Sequence, residues 1–156
     1  MERYRSHVSV NLILYRKTQN DETEVLLQLR QNTGYMDGLY DLGATGNIEE
    51  NEPVIFAMQR EAKEELGIDL KIEDLKFEQV YDSGIGEGGK QYIHFIFSTK
   101  ECSNMARVNE EDKCGGLLWC NTKNLPQNII PRIVKTIENF ENGITYYQNG
   151  YSKLNQ

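Results

Sequence analysis

At 156 residues the chain is long enough to bury a real core and fits one domain, and no composition shift, repeat, low-complexity tract or Pro/Ser linker divides it. Residues 1–156 are therefore read as a single domain, monomeric or homodimeric. Seventeen Lys and Arg against 24 Asp and Glu leave a net charge of −7, which argues against a nucleic acid polymer as partner, since that binding relies on basic side chains to neutralise phosphates. Cys102, Cys114 and Cys120 are odd in number and spaced neither as a disulfide framework nor as a CxxC zinc motif. No run of 18 apolar residues and no apolar leader after Met1 argues for a membrane or for export, so a cytoplasmic protein with reduced thiols is expected.

In chain order, His7 to Leu14 and Val25 to Leu29 read as strands joined by a polar turn near Asn20 and Asp21, a first hairpin. Asn32 to Gly38 is a loop by its turn residues, and Leu39 to Leu42 is a short strand leading into a glycine turn at Gly46. A helix follows from about Pro53 to Leu66, with proline tolerated in the first turn and Gly67 suited to the position just past the end. Leu75 to Tyr81 and Gln91 to Ser98 form a second hairpin around the loop Ser83 to Gly89; Gly115 to Cys120 is another strand, and Ile129 to Phe140 a closing helix after Pro126. Strands on either side of a central helix, with a helix at the end, imply an α/β protein with a mixed sheet covered on both faces.

The helix carries the chemistry. At about 100° per residue, Glu61, Glu64 and Glu65 share one side, and Ala57 falls among them, so a small side chain is expected to leave that surface open to a cation. The apolar stripe Ile55, Met58, Ala62 and Leu66 borders Glu65 and sets the acids at the edge of the core. Like charges at these spacings cost about 0.2–0.5 kcal/mol per pair, and residues 49–65 hold six Glu against one Arg and one Lys. A solvated face neutralised by Arg60 and Lys63 is the bland reading; a site for a hard cation is the sharper one, because something should offset that concentration of charge.

The pattern Gly46, five residues, Glu52, seven residues, Arg60-Glu61, an apolar residue, any residue, Glu64-Glu65, any residue, Gly67 and an apolar residue resembles the Nudix box, and every specified position from Gly46 to Ile68 is satisfied. The resemblance implies a Nudix-type α/β/α sandwich with a mixed central sheet. It also implies hydrolysis of a nucleoside diphosphate linked to another moiety, with Mg²⁺ or Mn²⁺ as cofactor. By the same resemblance Glu61, Glu64 and Glu65 hold the metal, a main-chain carbonyl of Thr45 or Gly46 completes the set, and Arg60 pairs with Glu52 to hold loop to helix. Ala44-Thr45-Gly46 stands where many members have Pro-Gly-Gly. The general base has two possible sources in the family: Glu61 within the box, or Glu110 or Glu111 in the acidic loop Asn109 to Lys113.

Outside the box, Arg30 to Gly38 and Asp112 to Trp119 resemble segments of MutT-like nucleoside triphosphate diphosphatases. Arg30 and Lys113 are candidates for phosphate contact, and Tyr35 and Trp119 for stacking on a base, although Trp119, ending an apolar strand, reads better as core. His94 lies in an alternating strand and reads as a strand residue rather than a ligand, and His7, with no evident partner, reads as structural or exposed. The expected substrate is an ordinary or oxidised nucleoside triphosphate, cleaved to the monophosphate and pyrophosphate. An ADP-ribose or nucleotide-sugar diphosphatase is the first rival, but members with ADP-ribose activity tend to carry a proline about fifteen residues beyond the box, and none occurs between Pro53 and Pro126. A noncatalytic nucleotide-sensing module is the second, and the intact box counts against it.

Overall fold

A computed structural model describes residues 1–152. Its strands are β1 (His7–Lys17), β2 (Thr23–Arg30), β3 (Tyr40–Leu42), β4 (Ala44–Asn47), β5 (Lys76–Ser83), β6 (Tyr92–Thr99), β7 (Cys114–Asn121) and β8 (Tyr146–Asn149). Its helices are α1 (Val54–Leu66), α2 (Ile85–Gly88) and α3 (Pro131–Asn142). The fold is α/β with a mixed central sheet, as the box resemblance implied.

The expected first hairpin forms only at its closed end. β1 pairs with β2 from Tyr15↔Val25 to Lys17↔Thr23, and below that point β1 instead takes β4 antiparallel and β6 parallel. It is thus the seam of the sheet, which explains the unbroken buried run from Ser9 to Leu14: a central strand is covered on both faces. On one side lie β4, β1, β6, β5 and β8; on the other, β2 carries β3 and β7. To the expected set the structure adds strand β4 where a glycine turn was expected, the single turn α2 inside the Ser83 to Gly89 loop, and strand β8, parallel to β5 beyond α3.

Alternation along the seam sorts the core into two layers. Val10, Leu12 and Leu14 pack with Ala44 against Met58, Ala62 and Leu66 of α1, while Ile13 and Ile96 meet Ile133 and Ile137 of α3. Ala57 is fully buried in the first layer, which corrects the expectation of an open surface beside the acids: its small side chain lets α1 sit close against the sheet. The limits of α1 fall where expected, with Pro53 at the N-cap and Gly67 at φ 66° as the left-handed C-cap. Gln79 of β5 ties α3 to the sheet, donating to the Thr136 carbonyl at 2.9 Å and accepting from Asn139 at 3.2 Å.

Candidate active site

The glycine turn and α1 meet through main chain and carboxylate. Gly46 faces Glu61 so closely that a Cβ added there would overlap the carboxylate; close approach, not an unusual φ, is what requires glycine at this position. One residue earlier, the Thr45 amide donates to Glu65 Oε2 at 2.6 Å. Both glutamates are therefore held on strand β4, and Glu61 is itself buried.

Arg60 organises the other side of the acidic face. Its Nε and Nη2 donate to the two Glu52 oxygens at 2.7 and 3.0 Å, its Nη1 reaches Glu61 at 2.8 Å and Glu64 at 3.3 Å, and Nη2 also donates to the Asn47 carbonyl at 3.0 Å. The planar fork thus fastens the loop before α1 to the helix and to the end of β4. Hydrogen bonding from Arg60, then from the Glu49 amide, holds the Glu52 carboxyl below the usual carboxylate range, and the Glu52 contact is the chief reason the guanidinium is held above its own.

The glutamates on α1 behave in the opposite way. Burial raises the Glu61 carboxyl against the opposing hydrogen bond and charge of Arg60, with Glu64 and Glu110 adding to the rise. Burial raises Glu65 further, opposed by the Thr45 amide and assisted by Glu61, Asp41 and Glu110. Carboxylates that are desolvated and facing each other disfavour their own ionisation, and a divalent cation among them would reverse that. Oxygen donors of this kind suit a hard cation, so the residues fit the metal that the family implies in donor chemistry. Among the described residues no three such side chains stand gathered around a common point, because Arg60 engages Glu61 and Glu64 while the Thr45 amide engages Glu65.

The acidic loop is fixed to the end of α1. Arg107 and Asn109 amides donate to the carbonyls of Leu66 and Glu65 at 3.0 and 3.1 Å, and Asn109 Nδ2 donates to the Glu64 carbonyl at 2.9 Å. These bonds satisfy carbonyls that a helix end leaves without partners. They bring Glu110 within electrostatic reach of both Glu61 and Glu65, whereas Glu111 is exposed.

A cleft of about 630 Å³ opens beside Thr45, Gly46 and Glu65, a volume in the usual range for small-molecule sites. Arg30, Tyr35 and Lys113 line it. Arg30 is held by Asp41 at 3.0 Å and by the Tyr35 carbonyl at 2.7 Å, with its guanidinium 5.5 Å from the Tyr35 ring centre. Trp119 does not line the cleft; it packs against the α1 layer with Arg16 stacked over its ring at 4.2 Å. Sequence reasoning missed Asp41, buried and paired to Arg30, and the far wall of Ser9, Asn11, His94 and Arg132. The signal for that wall was polar residues at alternate positions of otherwise apolar strands.

The glycine turn clasped to a carboxylate-rich helix beside a cleft of small-molecule size is the arrangement that the box resemblance implied. The NUDIX domain model matches residues 5–140, and the chain belongs to that family of pyrophosphohydrolases. It is 28% identical over 100 residues to the nucleoside triphosphatase NudI of Escherichia coli O17:K52:H18, a match spanning 60% of this chain and 70% of the relative. The MutT NUDIX hydrolase of Burkholderia pseudomallei superposes with a TM-score of 0.74 at 25% identity, covering 87% of this chain and 98% of that one. The NUDIX domain of Shewanella oneidensis NrtR, solved with ADP ribose, shares the fold with a TM-score of 0.71 at 14% identity, over 91% of this chain and 90% of that one. No helix among the described residues is long and apolar enough to cross a membrane.

Proposed function

We propose that this chain is a Mg²⁺-dependent Nudix hydrolase that cleaves a nucleoside triphosphate to the monophosphate and pyrophosphate. The observation that carries the reading is the joining of β4 to α1, where Gly46 abuts Glu61 and the Thr45 amide holds Glu65 in the lining of the cleft. Glu61, Glu64 and Glu65, with a main-chain carbonyl of Thr45 or Gly46, would hold Mg²⁺ or Mn²⁺. Bound there, the cation supplies charge neutralisation of the diphosphate and acidification of water.

The chain's own residues do the rest. Arg60 and Glu52 keep the carboxylate face in register with the glycine turn. Lys113 and Arg30, which line the cleft with Glu65, offer positive charge to the phosphates, and exposed Tyr35 offers a ring. Glu61 or Glu110 takes the proton from the attacking water. Support for a triphosphate comes from the similarity to a nucleoside triphosphatase and to a MutT hydrolase.

The test is a panel of nucleoside triphosphates, 8-oxo-dGTP, ADP-ribose, dinucleoside polyphosphates and nucleotide sugars, each assayed with Mg²⁺. Triphosphates should give monophosphate and pyrophosphate, and in ¹⁸O-water the label should enter pyrophosphate, the route MutT-like relatives favour. Brisk cleavage of ADP-ribose with no triphosphate cleaved would assign the chain to the rival diphosphatase class. Nucleotide binding without turnover would make it a sensing module.

A further inference from the structure

The cleft has an end that the box chemistry does not use. Register places Asn47 opposite Ser9, Ser9 opposite His94 and His94 opposite Tyr81, so one row of side chains crosses the sheet on the α3 face. His94 is two strands from β4, about 10 Å at ordinary strand spacing. Over this end stands Arg132, in the first turn of α3, with its guanidinium 6.0 Å from the Tyr81 ring centre. The position is fixed by the Gln79 ties to α3 and by the Ile130 amide, which donates to the Tyr40 carbonyl at 3.1 Å.

Three observations define what this end offers. Arg132 Nη1 is shielded from solvent and finds no acceptor among the described residues. Asn11 Nδ2 donates to Ser9 Oγ at 3.1 Å, and Ser9 Oγ shares a hydrogen bond with His94 Nδ1 at 2.5 Å, which ties the ring to β1. The nearby carboxylate, Glu87, already accepts from Tyr81 at 2.7 Å and Ser83 at 3.2 Å. This end of the cleft therefore holds a guanidinium donor, Arg132 Nη1, that is shielded from water and unpaired, a costly state that an acceptor on a bound ligand would relieve.

We infer that Arg132 is a specificity residue that reads the nucleobase of the substrate, selecting an edge with two adjacent hydrogen-bond acceptors. The inference rests on the nucleotide reading above. Guanine presents such a pair at O6 and N7, matching the planar guanidinium fork, and cytosine presents one at O2 and N3. Adenine sets an amino donor beside N7, and uracil separates its two oxygens with an N–H. Tyr92 supports the site from the sheet, its ring stacked at 6° on His94 with centres 5.2 Å apart.

The experiment is calorimetric binding of GMP, CMP, AMP, UMP and 7-deaza-GMP to the full chain in EDTA, where neither metal nor turnover contributes. GMP or CMP should bind at least about tenfold tighter than AMP and UMP, as expected for a two-bond base contact. Tight GMP binding identifies the purine pair, and 7-deaza-GMP should then fall to the AMP level; tight CMP binding identifies the pyrimidine pair. Arg132→Gln, checked for folding by circular dichroism, should remove the preference, and the wild-type comparison of GMP with 7-deaza-GMP stands even if that variant is unstable. Equal binding of all bases, a preference for AMP or UMP, GMP binding untouched by loss of N7, or an Arg132→Gln loss equal for every nucleotide would each overturn the inference. The last would make Arg132 a phosphate contact. Triphosphate hydrolysis with no base preference defeats this inference alone, whereas selective GMP or CMP binding without triphosphate hydrolysis defeats only the proposed reaction.

Discussion

Gly46 and Glu61 are in contact so close that no side chain fits between them. A strand residue and a helix carboxylate 15 positions apart in sequence are thereby locked into one surface. Gly46→Ala forces the Glu61 carboxylate or β4 to move. Overpacking of this kind costs about 1–3 kcal/mol, and misplacing a catalytic group by about 1 Å can cost about 10²-fold in rate. Thermal melts and steady-state kinetics should both register the change; a variant with unaltered Tm and kcat would refute the close packing.

Glu64 differs from its neighbours because its side chain is half exposed and meets Arg60 Nη1 only at 3.3 Å. An ion pair so exposed contributes about 0–1 kcal/mol, and its removal also lightens the crowding of negative charge on α1. Glu64→Gln should therefore keep the fold, with a metal-free Tm equal to or slightly above wild type, while Mg²⁺ affinity drops and turnover is nearly abolished. Calorimetric titration with Mg²⁺ and an assay at low Mg²⁺ check this. Full activity there would remove Glu64 from the metal-binding set.

The box was legible because its spacing is local: nine fixed positions on one turn and one helix express their geometry without help from the rest of the chain. The limits of α1 were legible for the same reason, since Pro53 and Gly67 act on their own backbone. What the sequence hid depends on partners distant in the chain. β8, Tyr-Tyr-Gln-Asn, has no apolar alternation and is a strand because β5 offers it an edge. The role of β1 as seam was concealed because its partners β4 and β6 lie far along the chain and its buried run, Ser9 to Leu14, contains the polar Ser9 and Asn11. Ser9, Asn11 and His94 looked like scattered polar residues until register set them in one wall, and Trp119 has its packing from Arg16, more than 100 residues away.

His94 makes acid sensitivity a property of that wall. Burial, then the charge of Arg132, depresses its pKa from 6.5 to about 2, with Ser9, Tyr81 and Tyr92 packed around the ring. The unfolded chain takes up a proton below pH 6.5 and the folded one does not, so the unfolded state binds more protons and stability falls as pH drops from about 6.5 toward 2. Each pH unit well inside that window is worth about 1.4 kcal/mol. His94→Gln should lose less stability than wild type between pH 7 and pH 5, whatever its absolute Tm. Parallel losses in denaturant titrations at the two pH values would show that His94 does not stay neutral.

The proton taken from the attacking water has two possible destinations, and the structure separates them more than the sequence did. Asn109 and Arg107 anchor the acidic loop to the end of α1, and the charge of Glu110 is felt at Glu61 and Glu65, while Glu111 is turned to solvent. Loss of a general base costs about 10²–10⁴-fold and is partly bypassed at high pH, where hydroxide is more abundant. Glu61→Gln should lower kcat strongly, and Glu111→Gln should stay within a few-fold of wild type. Glu110→Gln is the deciding measurement. A drop of tenfold or more that narrows as pH rises makes Glu110 the base; a smaller drop leaves Glu61, and strong residual activity in Glu61→Gln would remove that residue from both metal binding and proton transfer.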